Sequence, residues 1–145
     1  MFNFQIIHKE ANCKARTGII TTNHGKLKTP AFIPVATKAT VKSLTPQQIK
    51  ELGFEAVLGN TYHLYLQPGE KIVEKNNGLA KFMSWNNVTF TDSGGFQVFS
   101  LNGKLCDVDD DGVNFKSCID SSSHRFTPEK SMQVQRKLGA DLIFA

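Results

Sequence analysis

The sequence predicts an α/β fold in which short parallel strands alternate with helices. Three apolar runs of strand length, at residues 30–36, 55–59 and 88–91, are each followed by a segment with turn and helix signals. A fourth apolar run occupies residues 141–145 after one more helix signal. This order of strand, helix and strand along 145 residues is typical of about four βα units within one domain.

The first two helices are predicted from the residues at their ends. Thr45 suits the N-cap of the first helix, with Pro46 in its first turn and Gln48 completing a capping box. Gly53 ends this helix. The second helix is expected over residues 68–75, before an Asn-Gly pair that favours a turn.

After the third strand, the pattern predicts a hairpin and a last helix. Two short alternating stretches, residues 112–116 and 123–126, are expected to pair as an inserted β-hairpin. Thr127 then caps a helix over residues 131–138. The last run, residues 141–145, is apolar, and a strand there would leave an uncovered edge. We therefore expect an incomplete fold, the alternative being a compact four-strand domain whose last strand is its edge.

Composition narrows the class of protein. The chain is 40% hydrophobic, with a formal net charge of +4 that is compatible with an anionic partner such as RNA or with an ordinary solvated basic surface. It has neither a signal-peptide pattern nor an apolar stretch long enough to span a bilayer, so a cytoplasmic protein without a membrane partner is expected. Cys13, Cys106 and Cys118 are odd in number and widely spaced, which favours reduced thiols over a disulfide framework or metal site.

An acidic stretch interrupts the otherwise dispersed charges. Asp107, Asp109, Asp110 and Asp111 precede Gly112, and such a cluster beside a glycine predicts an exposed turn. Calcium binding is the alternative, but the pattern lacks the bidentate glutamate that normally closes a calcium-binding loop. The turn is therefore the expected structure.

The segment of residues 91–100 carries the most functional information, because Asp92, the pair Gly94-Gly95 and Phe96 come directly after a predicted strand. The glycines allow close backbone approach and positive φ. The ring offers a stacking face, and the carboxylate can accept ring N–H groups or move a proton. These properties suit a flat ligand, the alternative being a tight turn that exposes a solvated aspartate.

Residues that follow parallel strands gather at one face of the sheet, where α/β and barrel enzymes place their chemistry. Asn60 follows the second strand and Asp92 the third, so both are expected at one pocket, where Asn60 can orient the carboxylate. His63 is either a supporting residue of this pocket or a packed or surface histidine. Lys38 and Lys42 follow the first strand. They either bind phosphate at the opening of the same pocket or remain solvated loop residues.

Together, these segments resemble the N-terminal part of the tRNA-guanine transglycosylases, also called queuine tRNA-ribosyltransferases. The matching motifs are TPAFIPV (residues 29–35), LGNTYHL (58–64), TDSGGFQV (91–98), and PEKSM (128–132) followed by LGAD (138–141). They occur in the family's order and spacing over nearly the whole chain. The resemblance implies that residues 1–145 form the N-terminal part of a single (β/α)8 barrel domain.

The resemblance also implies an activity, in which guanine in tRNA is exchanged for a 7-deazaguanine base without breaking the phosphate backbone. In the bacterial branch, a queuosine precursor enters the wobble position of the anticodon. Asp92 matches the family's active-site aspartate, a proton acceptor, which Asn60 would orient. The family's base-binding loop matches Asp92, Ser93, Gly94, Gly95 and Phe96. Phe96 would stack on the purine, and Phe82 matches an aromatic residue at the family's homodimer contact.

Other functional groups of the family are expected outside this chain. They are a second aspartate that acts as the covalent nucleophile, a further glycine-rich base loop, and a structural zinc site of three Cys and one His. No cofactor or metal is therefore expected within these residues, and zinc is implied for the full-length protein. By itself the chain is expected to be inactive. Two alternatives stay open: a non-catalytic tRNA-binding accessory subunit and a small base-binding module.

Overall fold

The computed structural model describes residues 2–102 and 106–145. In chain order, the elements are β1 (Asn3–Lys9), β2 (Arg16–Thr21), β3 (Lys26–Thr29), β4 (Val35–Ala36), α1 (Pro46–Glu51), β5 (Ala56–Gly59), α2 (Thr61–Leu66), α3 (Glu70–Lys75), α4 (Leu79–Phe82), β6 (Val88–Thr91), α5 (Gly95–Asn102), β7 (Cys106–Asp109), β8 (Gly112–Lys116), β9 (Ser123–Phe126), α6 (Pro128–Leu138) and β10 (Leu142–Ile143). The chain is thus a mixed α/β protein, as its sequence predicts.

A four-stranded parallel sheet in the order β10-β6-β5-β4 is the centre of the fold. Its strands correspond to the four predicted apolar runs, and β5 pairs with β6 from Ala56↔Val88 to Gly59↔Thr91. The first run was predicted to be buried over residues 30–36, but only Val35–Ala36 form a strand, and Phe32 is 76% exposed. Pro34 lacks an N–H for a sheet ladder, and β4 is an edge strand with one neighbour.

The predicted helices are confirmed, with small changes in their bounds. Thr45 and Gln48 form the expected capping box of α1, the Thr45 Oγ1 atom accepting from the Gln48 N–H at 3.2 Å. Residues 70–75 form α3, and α6 begins at Pro128 because Thr127 already serves as its N-cap. Helices α2, α4 and α5 are additional to the prediction.

The predicted hairpin of β8 and β9 is confirmed, and it belongs to a larger sheet. Strand β7 joins it to give the order β7-β8-β9. Asp107 and Asp109 lie in β7, and the chain turns immediately after Asp109, whose carboxylate accepts the N–H groups of Asp111 and Gly112. Arg125 donates to the same carboxylate at 2.6 and 2.7 Å and lowers the Asp109 pKa to about 2. The acidic stretch is therefore exposed, but only Asp110 and Asp111 form the predicted turn, because Asp107 and Asp109 belong to a strand.

An antiparallel sheet of β1, β2 and β3 precedes the parallel sheet and is additional to the prediction. Leu27 is its buried contact with the apolar cluster around Ala56, Val88 and Phe90 of β5 and β6. Asp141 strengthens this connection, because its carboxylate accepts from Thr89 N at 2.9 Å and lies 2.8 Å from the His24 ring Nδ1 atom. The sheet therefore packs against the parallel strands at the end remote from residue 92.

Helices and the β8–β9 hairpin together bury the main core on the other side of the parallel sheet. Fully buried side chains in this core come from α2, α3, α4, α5 and α6: Tyr62, Leu64, Val73, Leu79, Val98, Val134 and Leu138. Burying such side chains is the main source of the stability of the fold. None of the helices in the described part of the chain has the length and apolar composition needed to cross a membrane.

Candidate active site

Asn60 and Asp92 meet at the carboxyl ends of β5 and β6. Gly59 and Thr91 are partners in the parallel register, so the residue that follows each strand lies beside its neighbour. The Asn60 Nδ2 atom donates to the Asp92 Oδ2 atom at 2.6 Å, across 32 positions of sequence. The backbone N–H of Thr61 donates to the other carboxylate oxygen at 2.8 Å. Both oxygens of Asp92 are therefore held in place.

The orientation of the Asn60 amide is determined by its second role. Asn60 is the N-cap of α2, and its Oδ1 atom accepts from the His63 backbone N–H at 3.1 Å. Because the oxygen is occupied by a donor from the helix, the amide nitrogen must point toward Asp92. The residue is 4% exposed, so water competes little for these bonds. The helix cap thus aligns a donor with the carboxylate.

Asp92 lies in an environment that favours its protonated form. Burial raises the pKa of this carboxyl above its ordinary value of 3.8, although the N–H groups of Thr61 and Gly94, the nearby His63 and the Asn60 amide partly offset the rise. A half-buried carboxylate with a raised pKa at the end of a parallel strand is suited to accept and return a proton. This combination is a recognised feature of catalytic acids and bases.

The two glycines after Asp92 have different roles. Gly94 has a φ of +77°, and a Cβ atom there would lie 3.0 Å from the Tyr62 backbone N. Glycine is therefore needed at this position for both its conformation and its close packing. Gly95 begins α5 without a positive φ, and a Cβ atom there would meet only the Ser93 Oγ atom, at 3.6 Å. The sequence argument about positive φ therefore holds for Gly94 alone.

The rest of the predicted loop borders open space. Phe96 is 74% exposed in the first turn of α5, so its ring is available to a ligand. An open cavity of about 440 Å³ begins at Ser93 and Gly95 and continues between the hairpin and α6, with Phe126 and Met132 in its wall. The loop thus has a free aromatic face on one side and a cavity with a largely apolar lining on the other.

His63 and Lys38 belong to the surroundings of Asp92. Burial lowers the pKa of His63, repulsion from Lys38 lowers it further, and attraction by Asp92 opposes both effects. Lys38, in the loop after β4, therefore places a positive charge near the strand ends where Asp92 lies. Lys42, the other lysine predicted at this mouth, is exposed, and the electrostatic effects on His63 and Asp92 come from other residues.

These lysines provide a test of the electrostatic arrangement. Replacing Lys38 by Ala is expected to raise the pKa of His63, because the repulsion that disfavours the imidazolium is removed. The measurement is an NMR titration of the His63 ring Cε1–H. Lys42→Ala, a matched change four positions along the same loop, should leave the titration where it is. Equal shifts in both variants would show that the effect is not specific to Lys38.

Sequence reasoning missed Thr61 and Ser131, which support Asp92 and the loop after it. Thr61 contributes its backbone N–H to the carboxylate and its hydroxyl to the Asp92 carbonyl. Ser131 of α6 donates to the Ser93 carbonyl at 2.6 Å. The Asn-Thr pair at the end of a predicted strand is a cap signal that could have pointed to Thr61. Contact between Ser131 and Ser93 has no comparable signal, because it depends on how α6 packs.

The fold and this site define a class of α/β protein in which a half-buried carboxylate, followed by a glycine turn, lies at the end of a parallel strand. The family model described as "Queuine tRNA-ribosyltransferase" matches residues 11–145. The chain therefore belongs to the queuine tRNA-ribosyltransferase family, which is a family of pentosyltransferases. The resemblance to the family that the sequence motifs indicate is thereby confirmed.

Curated relatives support this membership. The chain is 56% identical to a queuine tRNA-ribosyltransferase of Caldanaerobacter subterraneus subsp. tengcongensis, over 98% of its own length and 38% of the relative. It is 54% identical to that of Thermoanaerobacter pseudethanolicus over the same shares. With that of Prochlorococcus marinus it shares 50% identity over its whole length and 39% of the relative. The chain thus spans less than two fifths of the length of these relatives.

Proposed function

We propose that the chain forms the N-terminal part of a tRNA-guanine transglycosylase, which exchanges guanine in tRNA for a 7-deazaguanine precursor of queuosine. The observation that carries this proposal is Asp92, half-buried and held by Asn60 and Thr61 at the strand ends. The order of parallel strands, β4-β5-β6-β10, is the order in which strands follow one another around a (β/α)8 barrel. These four strands would then form half of such a barrel.

Base exchange requires proton transfer in both directions. A purine leaves the ribose more easily when a proton returns to its ring nitrogen, and the incoming base must lose its proton at the corresponding nitrogen. Asp92 would accept a proton from one base and return it to the other, for which its raised pKa is suited. The carbon centre of the ribose also needs a nucleophile. A second carboxylate, from the length of the family that this chain does not span, would supply it.

The loop after Asp92 would bind the base. Gly94 lets the backbone pass close to Tyr62, and Ser93 and Gly95 open onto the adjoining cavity. The exposed ring of Phe96 would stack on the flat purine. Lys38, which lies near His63, would face the tRNA phosphates at the same mouth. The partners proposed for the site are therefore tRNA and a guanine or 7-deazaguanine base.

Two further proposals concern the full-length protein. Phe82, at the end of α4, is 37% exposed while the neighbouring Met83 and Trp85 are buried, so its ring is available for the proposed homodimer contact. A structural zinc, the second proposal, would be held by residues of the full-length protein outside this chain. Among residues 2–102 and 106–145, no group of three His, Cys, Asp or Glu side chains is arranged to hold a metal ion.

The proposal is tested by the incorporation of radiolabelled guanine into tRNA. We expect the full-length protein, meaning the natural gene product that contains this chain, to incorporate guanine. Residues 1–145 alone should not, because one carboxylate of the pair is absent. Exchange by residues 1–145 alone would overturn the proposal that these residues are only a part of the active enzyme. A full-length protein that binds tRNA without exchange would instead identify an accessory subunit.

A further inference from the structure

Gln135 of α6 is a fully buried polar side chain that contacts the strand carrying Asp92. It is 0% exposed, and both atoms of its amide have two partners. Its Oε1 atom accepts from the Thr91 hydroxyl at 3.0 Å and from the Phe144 N–H at 3.1 Å. Its Nε2 atom donates to the Phe144 carbonyl at 2.6 Å and to the Ser131 hydroxyl at 3.1 Å. The amide is therefore completely satisfied without water.

The backbone of Phe144 determines how this amide is oriented. A backbone N–H can only donate and a carbonyl can only accept, so the Gln135 oxygen must face the Phe144 N–H and its nitrogen must face the Phe144 carbonyl. The remaining bonds follow from that choice. Thr91 must donate to Gln135, and Ser131 must accept from it. No flipped arrangement preserves the same set of bonds.

Ser131 connects the hydrogen bonds of Gln135 to the loop after Asp92. Since its hydroxyl accepts from Gln135, its single proton is available for the Ser93 carbonyl, to which it donates at 2.6 Å. The carbonyl of Ser93 and the N–H of Gly94 belong to one planar trans peptide and point in opposite directions. Holding the carbonyl on α6 therefore turns the Gly94 N–H toward Asp92, whose carboxylate it stabilises.

We propose that Gln135 is a positioning residue for Asp92 in the base exchange. It holds the residue before Asp92 through the Thr91 hydroxyl, and the residue after it through Ser131. On the other side, Asn60 and Thr61 hold the carboxylate itself. The carboxylate is thus fixed from β5 and α2 on one side, and from α6 on the other. This inference rests on the proposed function only for the reaction that Asp92 performs.

Gln135→Met in the full-length protein tests the proposal, because methionine keeps the length of the side chain and removes all four hydrogen bonds. We expect kcat/KM for guanine exchange to fall by about 10- to 100-fold, since small displacements of a reacting group have effects of that order. The matched control is Gln133→Met, the same change at an exposed position of the same helix. It should stay within about twofold of the natural protein, as surface substitutions usually do.

Ser131→Ala separates positioning from general stability. It removes the bond to Ser93 while Gln135 keeps its partners Thr91 and Phe144. In both Gln135→Met and Ser131→Ala, the pKa of Asp92 should rise further, because the Gly94 N–H no longer stabilises the carboxylate. The rise should appear in the acidic limb of the kcat/KM profile and in a ¹³C NMR titration of the Asp92 carboxyl group. A purely structural role would leave both unchanged.

The NMR titration separates failure of this inference from failure of the proposed function. A natural protein without guanine exchange would contradict the proposed function, while the Asp92 titration would still report on the positioning. If Gln135→Met does not fold by circular dichroism, Ser131→Ala decides the question. Unchanged kcat/KM and an unchanged Asp92 titration in folded Ser131→Ala would overturn the proposal. A rise in the Asp92 pKa in Gln133→Met equal to that in Ser131→Ala would overturn it too.

Discussion

Asp92→Asn in the full-length protein is expected to lower kcat/KM for guanine exchange by about 10²- to 10⁴-fold, the range attributed to a general acid or base. An amide cannot accept and return a proton at physiological pH. The substitution also disturbs the hydrogen bonds, because the Asn60 Nδ2 atom and the Thr61 N–H donate to different oxygens of residue 92, and an amide has only one oxygen. The measurement is the initial rate of radiolabelled guanine incorporation at several guanine concentrations.

A second aspartate in the same chain provides the control. Asp107 is exposed in β7, and Asp107→Asn makes the same chemical change at a residue that does not line the cavity beside Ser93 and Gly95. It should leave exchange within about twofold of the natural rate, as is usual for surface substitutions. Retention of more than a tenth of the natural kcat/KM by folded Asp92→Asn would contradict the role proposed for Asp92.

The raised pKa of Asp92 predicts the direction of two pH effects. Exchange should decline as the pH falls through the pKa of Asp92, above the ordinary value of 3.8, because only the ionised group can accept a proton. The free energy of unfolding should change in the opposite direction and decrease as the pH rises. The folded pKa is above the unfolded one, so the stability contributed by Asp92 is fully present below the unfolded pKa and is lost as the pH rises through the folded pKa. Urea unfolding from pH 3.5 to 7, compared with Asp92→Asn, measures this contribution.

Gly94→Ala should have the second largest effect, on both stability and exchange. The variant must hold a φ of +77° and place a Cβ atom 3.0 Å from the Tyr62 backbone N. Strain of this kind costs of the order of 1–3 kcal/mol of unfolding free energy. If the loop moves to relieve it, the Gly94 N–H leaves the Asp92 carboxylate, and exchange should fall by about 10²-fold. Urea unfolding and guanine incorporation measure the two effects.

Gly95→Ala is the matched control, since it makes the same substitution one residue later. Gly95 lies in α5 without a positive φ, and the nearest atom to an added Cβ is the Ser93 Oγ atom at 3.6 Å. Alanine is also a better helix former than glycine, so this variant should be at least as stable as the natural protein. Equal losses of unfolding free energy in Gly94→Ala and Gly95→Ala would show that the loop is crowded at Gly95 as well.

Elements with strong end signals or a buried face were predictable from sequence. Thr45 and Gln48 identified α1 through a capping box, and the buried strands β5 and β6 appeared as apolar runs. Strand β1 was missed although Phe4 and Ile6 alternate with Asn3 and Gln5. All seven of its residues are exposed, so the alternation marks no buried face. Strand β7 was missed because Asp107 and Asp109 disfavour a strand, and pairing with β8 outweighs that preference.

The features of the active site also divide into those that the sequence predicts and those that depend on tertiary packing. By itself, the sequence determined that Asn60 and Asp92 follow adjacent parallel strands and that a glycine turn lies beside them, because strand ends meet at a common face whatever the details of packing. Only the tertiary structure decided which glycine requires its freedom and which buried amide holds the loop. Gly94 depends on the approach of Tyr62, and Gln135 lies 44 positions from Thr91, to which it is joined by docking of α6. Contacts between separately packed elements follow no sequence spacing, since they depend on how the surrounding core is filled.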